Sequence, residues 1–124
     1  MLQRLLLPFL WPLALAPSLV FAQALGLDRE AFLDVARGTA AYSQVMDIKG
    51  PLMAKREFLK PLSRVDQSLK DFRLMLEQAA TCGHQLPFAT VYVNMLEDCK
   101  RHGEAEWDNA AIVEAIARQR AIGS

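Results

Sequence analysis

One segment, residues 58–83, constrains the fold of this chain more than any other. Its apolar side chains recur at spacings of three and four residues, which is the pattern of a helix that buries one face. This apolar face consists of Leu62, Val65, Leu69, Phe72, Leu76 and Ala79. Pro61 is typical of a first helical turn, and Gly83 is typical of the left-handed residue that follows a helix. We therefore predict a long amphipathic helix around which the other segments pack.

Charged side chains flank the apolar face of this helix. Arg64, Lys70 and Arg73 lie near one edge, with Asp66 and Asp71 available as local partners. The pattern leaves two interpretations open: an exposed basic edge, or a helix that offers a cation to an anionic or polar ligand. Because Lys70 emerges beside the apolar face, its alkyl chain can run along apolar surface while its ammonium reaches a groove.

Capping residues, glycines and prolines divide the chain from residue 28 to residue 57 into short elements. Asp28 is suited to cap a helix over residues 29–37, which Gly38 ends. Ser43 is suited to cap a short turn that extends to residue 46. Gly50-Pro51 is expected to break the chain before a brief apolar turn at residues 52–53.

Two more helices are predicted after the long one. Residues 88–101 carry an apolar stripe, and Asp108 is suited to cap a last helix with arginines near its end. The residues expected to face inward are Val91, Tyr92, Met95, Leu96, Cys99, Ala111, Ile112, Ala115 and Ile116. No segment of useful length alternates apolar and polar residues. The sequence therefore predicts an all-α domain of about five to six helices.

The first 22 residues differ from the rest, because Arg4 is their only charge. This pattern is typical of a secretory signal, with residues 20–22 as its cleavage site. A stable membrane span is disfavoured because Pro8, Pro12 and Pro17 would each remove a backbone donor. A third interpretation is that residues 19–25 form the last part of a helix, which Gly26 ends.

Composition and motifs argue against several kinds of site. The chain has 14 basic and 14 acidic residues, so it lacks the basic surface that nucleic acid requires. It has no glycine-rich phosphate loop and no serine in a nucleophile elbow. The side chains that could bind zinc lack the usual spacing, so we predict no metal site. These side chains are Cys82, His84, Cys99 and His102.

The acidic clusters at residues 97–98 and 104–108 are expected to be solvated surface. Paired catalytic carboxylates need burial to separate their pKa values, and both clusters lie at or beyond predicted helix ends.

Several short motifs follow one another in a fixed order along the chain. They are Leu27-Asp28 after Gly26, Leu69-Lys70-Asp71 followed by Leu74, and Leu86-Pro87 after Gly83. Taken together, from residue 19 to residue 120, the segments resemble the C-terminal helical domain of the β-hydroxyacid dehydrogenase family. That family includes 3-hydroxyisobutyrate dehydrogenase and 2-hydroxy-3-oxopropionate reductase. The resemblance divides the chain into an apolar leader, residues 1–18, which is atypical of the family, and a helical domain, residues 19–124.

The resemblance also implies a site. Members of the family bind NAD or NADP on an N-terminal Rossmann domain, and a small hydroxy-acid substrate lies in the cleft between the two domains. Lys70 is implied to contact the cofactor, and Asp71 to support that end of the cleft. The family's proton-transfer lysine lies upstream on the interdomain helix, whereas the first lysine here is Lys49. No catalytic residue is therefore assigned.

We expect this chain to be a cytoplasmic dehydrogenase fragment that is inactive alone, because it lacks the glycine fingerprint that holds a dinucleotide. Its uncovered interdomain face would then favour a homo-oligomer. Two alternatives remain open: a helical module for dimerisation or protein binding, and a small secreted helical protein from which residues 1–22 have been removed.

Overall fold

The computed structural model describes residues 10–119, and six segments of this range are α-helices. They are α1 (Leu10–Ala24), α2 (Arg29–Arg37), α3 (Gln44–Lys55), α4 (Val65–Thr81), α5 (Pro87–Arg101) and α6 (Ile112–Arg118). A 3-10 turn, η1 (Asn109–Ala111), leads directly into α6, and residues 10–119 contain no β-strand. The predicted all-α domain of about five to six helices is confirmed.

The core lies where α4 and α5 pack against each other and against α1, α3 and α6. Phe72 of α4 meets Tyr92 of α5 edge-on, with ring centroids 4.5 Å apart. Fully buried side chains come from five of the six helices, and they include Leu19, Met53, Val65, Leu69, Leu96, Ile112 and Val113. Burying a side chain of this size contributes about 1.5–3 kcal/mol, so the fold depends on all five helices.

Helix α1 confirms the interpretation that residues 19–25 end a helix. It stops at Ala24, and Gly26 has a φ of +89°. Pro17 lies inside the helix, where it removes one backbone bond. Packing of Leu15, Ala16 and Leu19 into the core offsets this loss.

The division predicted between residues 18 and 19 falls inside α1 (Leu10–Ala24), and buried side chains lie on both sides of it: Leu15 and Ala16 before it, and Leu19 after it. The division stays a prediction, which the stability of a Leu15→Ala variant tests. Residues 1–9 of the predicted leader lie outside the described residues, as do residues 120–124.

Helix α3 differs from its prediction, because Gly50 and Pro51 do not break the chain. A single helix runs from Gln44 to Lys55 with Pro51 inside it. Met46 and Met53 are buried, and Gly50 lies against Leu33 of α2. A Cβ at residue 50 would stand 3.0 Å from a methyl carbon of Leu33. The glycine therefore allows two helices to approach closely, and tertiary packing overrides its effect as a helix breaker.

Helix α4 begins at Val65, later than predicted, and Pro61 precedes it. Val65, Leu69 and Phe72 are buried as expected, but Leu62 is 70% exposed. The reason is a set of backbone bonds between residues 58–65 and residues 107–109. The Asp108 N–H donates to the Phe58 carbonyl at 2.8 Å, and the Val65 N–H donates to the Trp107 carbonyl at 2.9 Å. Gly83 follows the helix with the predicted left-handed φ, +77°.

The other helices keep their predicted ends. The Asp28 carboxylate accepts from the Ala31 N–H at the start of α2, and Asp108 caps η1 by accepting from the Ala110 N–H. Along α5, Tyr92, Leu96 and Cys99 are buried, whereas Val91 is half exposed. Among residues 10–119, no helix is both long enough and apolar enough to cross a membrane.

Candidate functional site

The sequence-predicted pair Lys70-Asp71 lies in the first half of α4. Lys70 is exposed, and its side chain makes no ion pair or hydrogen bond within residues 10–119. The other basic residues of this edge are paired: Arg64 with Asp66, and Arg73 with Glu97 of α5. Of these three basic residues, Lys70 alone has no ion-pair partner among the described residues, and its binding to a ligand stays a prediction.

Asp71 is half buried and lines an open cavity of about 220 Å³ beside the start of α4. The polar residues of this cavity are Ser63, Gln67, Ser68, Asp71 and Asn109. Ser63 belongs to the loop before α4, and Asn109 belongs to η1. The cavity therefore depends on how the 58–64 loop and η1 are held against α4.

A buried polar network behind this cavity joins α3, η1 and α4. The Lys49 ammonium donates to the Asp108 carboxylate at 2.8 Å and to the Asn109 side-chain oxygen at 2.7 Å. The Asn109 amide nitrogen donates to the Ser68 hydroxyl at 2.8 Å. Lys49 is 7% exposed and Asp108 is fully buried. The network was not predicted, because Lys49 and Asp108 are 59 positions apart and nothing local connects them.

Asp108 also organises the backbone before α4. One carboxylate oxygen accepts from the Leu62 N–H at 2.8 Å, and the other accepts from the Ala110 N–H at 2.8 Å. Burial by itself would raise the pKa of Asp108, but the bonds from Lys49, Ala110 and Leu62 outweigh it and hold this pKa below its ordinary value. Asp108 is thus a buried carboxylate that stays charged.

The solvated surface predicted for residues 104–108 is wrong at two positions. Asp108 pairs with Lys49, and Glu104 is buried against Arg118, whose nitrogen lies 2.8 Å from it. The hydrogen bonds that Arg118 donates to Glu104 raise the pKa of Arg118 most strongly, and Asp98 adds to the effect. Both carboxylates can be buried because each meets a cation from an α-helix, Lys49 of α3 or Arg118 of α6. Glu106, between them, is exposed as predicted.

We expect acid to weaken the domain through Asp108. Its folded pKa lies below the unfolded value of about 3.9, so its contribution to stability is complete above that value. The contribution is lost as the pH falls through the folded pKa. Carbon-13 NMR of the side-chain carboxyl measures the folded pKa directly. A titration midpoint at or above about 3.9 would contradict this assignment.

The four side chains considered as zinc ligands do not form a site in the part of the chain that the structure describes. Within residues 10–119, no three His, Cys, Asp or Glu side chains are placed to hold a metal ion. Cys82 is exposed, and Cys99 is buried with its sulfur 3.6 Å from the Ala111 carbonyl oxygen. Burial raises the pKa of the Cys99 thiol to about 12. Cys99 is therefore part of the core.

Comparison with known proteins places this helical domain in an oxidoreductase family. Residues 7–116 match a family described as "NAD-binding of NADP-dependent 3-hydroxyisobutyrate dehydrogenase". The chain therefore belongs to the 3-hydroxyisobutyrate dehydrogenase family, as the order of its motifs predicted. This confirms the family-level assignment, and the roles of Lys70 and Asp71 stay predictions.

Individual relatives agree with the family match. The chain is 30% identical over 106 residues to the probable 3-hydroxyisobutyrate dehydrogenase-like protein 1, mitochondrial, of Arabidopsis thaliana, covering 86% of this chain and 31% of the relative. It is 27% identical over 103 residues to the 2-hydroxy-3-oxopropionate reductase of Escherichia coli, covering 83% of this chain and 35% of that protein. The chain thus spans about a third of the length of these relatives.

A solved structure supports the fold. The crystal structure of 3-hydroxyisobutyrate dehydrogenase from Salmonella typhimurium superposes with a TM-score of 0.80 at 23% identity. The superposition covers 90% of this chain and 39% of that protein. The helical arrangement of residues 10–119 is therefore a known domain architecture that occurs within a larger protein.

Proposed function

We propose that this chain is the cofactor-facing helical part of a 3-hydroxyisobutyrate dehydrogenase-like oxidoreductase, and that it works only together with a nucleotide-binding domain. The observation that carries the proposal is the family match, which spans residues 7–116 and is described as NAD-binding. The substrate class is a small hydroxy acid held between the two domains, and the cofactor is NAD or NADP.

Lys70 is the residue proposed to contact the cofactor. Its ammonium is exposed and has no partner within residues 10–119, so it can donate a charge-assisted bond without first breaking an internal one. Asp71 is proposed to support this contact from the wall of the adjacent cavity. The bound nicotinamide supplies hydride transfer, and this chain contributes orientation.

The described residues can supply one contact to a dinucleotide, but they do not form a complete dinucleotide-binding site. Within residues 10–119 there is no strand followed by a glycine-rich turn and a helix, which is the arrangement that holds a pyrophosphate. A single charge-assisted bond contributes about 1.5–3 kcal/mol. Association costs about 4–15 kcal/mol in lost freedom. We therefore expect the chain alone to bind NADPH only at millimolar concentration or more weakly, with no turnover.

The first test of the proposal uses the purified chain by itself. Nitrogen-15 NMR with added NADPH is expected to shift the amides of α4 around Lys70, with no saturation below about millimolar ligand. Shifts confined to another face of the domain would overturn the assignment of Lys70. Turnover of a hydroxy acid by the chain alone would contradict the need for a second domain.

The second test adds a nucleotide-binding domain in trans, as the part of the Escherichia coli reductase that this chain does not match. Lys70→Met is expected to weaken NADPH binding to the mixture by about 10-fold to 100-fold, the equivalent of one charge-assisted bond. Lys60→Met, at an exposed lysine in the loop before α4, is the matched control and should leave the affinity unchanged. Equal affinities for both variants would contradict the proposed role of Lys70.

The proposal extends to assembly and location. Large apolar side chains are exposed on α1 and on the loop before α4, including Phe21 at 66%, Leu59 at 78% and Leu62 at 70%. Such surfaces favour association, and we expect a homo-oligomer.

We place the protein in the cytoplasm, with no nucleic-acid partner. The dimerisation or protein-binding module remains the runner-up, and the same exposed residues support it.

A further inference from the structure

In the buried network behind the cavity, Lys49 determines which atom of the Asn109 side chain accepts a hydrogen bond and which atom donates one. An asparagine amide presents one oxygen that accepts and one nitrogen that donates, whereas an ammonium can only donate. The 2.7 Å bond from the Lys49 ammonium therefore turns the Asn109 oxygen toward α3. The Asn109 nitrogen is left to donate to the Ser68 hydroxyl, 2.8 Å away on α4.

Two residues of this network also form the cavity wall. Ser68 and Asn109 line the cavity together with Asp71, which follows Ser68 by three positions on α4. Lys49 does not line the cavity, because it lies behind the wall and is 7% exposed. A buried lysine can thus control which hydrogen-bonding groups the wall presents without touching anything in the cavity.

We propose that Lys49 is a positioning residue of this site, which orients Asn109 and thereby fixes the Ser68 and Asp71 side of the cavity. That the cavity faces a cofactor or substrate rests on the proposed function above, whereas the orientation of Asn109 does not. This role is separate from the ion pair with Asp108. The ion pair neutralises the buried charge of Asp108, while the bond to Asn109 determines how the Asn109 side-chain amide is oriented.

The two roles predict different results for two variants. Lys49→Met leaves the Asp108 carboxylate buried without its cation and should destabilise the domain strongly. The double variant with Lys49→Met and Asp108→Asn removes both charges, so we expect it to regain the part of the lost stability that comes from the unpaired buried charge. It should stay somewhat less stable than the wild type, because an asparagine side chain in place of Asp108 keeps only one oxygen to accept from the Leu62 and Ala110 N–H groups. In the double variant, the side-chain oxygen of Asn109 still lacks the hydrogen bond from Lys49. The orientation of the Asn109 amide should therefore remain unfixed.

The experiment compares stability with local order in the chain as it exists. Urea unfolding measures stability, and NMR measures solvent exchange of the Asn109 side-chain amide and of the backbone amides of residues 68–71. In the double variant, these groups should exchange about 5-fold to 10-fold faster than in the wild type, the effect of one lost hydrogen bond. Asn109→Ala, which keeps the Lys49–Asp108 pair, should speed exchange of the same backbone amides to a similar degree.

Lys55→Met supplies the matched control, because Lys55 is an exposed lysine on the same helix. It should change neither stability nor exchange. If exchange recovers together with stability in the double variant, Lys49 is only a charge partner and the proposal fails. If the double variant does not fold, Asn109→Ala decides: unchanged exchange of the backbone amides of residues 68–71 in that variant contradicts the proposal. If NADPH leaves α4 unshifted while the exchange results hold, the proposed function fails and the role of Lys49 stands.

Discussion

Asp108→Ala is expected to destabilise the domain by about 3–5 kcal/mol, the usual cost of removing one partner from a buried ion pair. The Lys49 ammonium would keep Asn109 as a partner but lose the countercharge of Asp108. The backbone N–H groups of Leu62 and Ala110 would also lose their acceptor. The loss is large because several buried donors depend on one carboxylate.

Equilibrium unfolding in urea, followed by circular dichroism, measures this effect. Asp34→Ala is the matched control, since that carboxylate is 73% exposed and its ion pair with Arg37 lies on the surface. The control should change the free energy of unfolding by no more than about 0.5 kcal/mol. If Asp108→Ala and Asp34→Ala are equally stable, the buried Asp108 carboxylate does not stabilise the domain as predicted.

Leu15→Ala is expected to cost about 2–5 kcal/mol, as is usual when a buried leucine is truncated to leave a cavity. Leu15 is 7% exposed and belongs to the same core cluster as Leu19 and the side chains of α4 and α5. It also lies before the division that the sequence predicts between residues 18 and 19. The variant therefore asks whether the residues before that division help to stabilise the helical domain.

Thermal and urea unfolding of Leu15→Ala should be compared with Leu25→Ala. Leu25 follows α1 and is 64% exposed, so its truncation should cost less than about 0.5 kcal/mol. If the two variants are equally stable, residues 1–18 act as a leader outside the domain, as the sequence alone suggested. A large loss at Leu15 alone would move the start of the domain back into α1.

The features that the sequence predicted well are those with a local cause. The Asp28 cap, the glycines after α1 and α4, and the buried stripe of α4 each depend on neighbours within a few residues. Gly50 shows the limit of such reasoning. Its local effect is to weaken a helix, but its tertiary role against Leu33 decides the outcome, and no pattern within α3 reveals a partner on α2.

The candidate site also contains some residues that the sequence could predict and others that it could not. Lys70 and Asp71 could be singled out because they belong to a contiguous motif whose order along the chain resembles a family. Lys49, Asp108 and Asn109 could not be connected to them. Each has an ordinary local explanation, and only the folded chain brings them within 3 Å of one another. The expectation that residues 104–108 are solvated failed for the same reason.

The start of α4 also bears on how the chain folds. The carboxylate that binds the Leu62 N–H is 46 positions further along the chain, so this contact closes a long loop before it stabilises anything. Contacts of such separation slow folding more than the local bonds within a helix do. The middle of α4 can therefore form early in folding, whereas the backbone at its start becomes ordered only after η1 has packed against it.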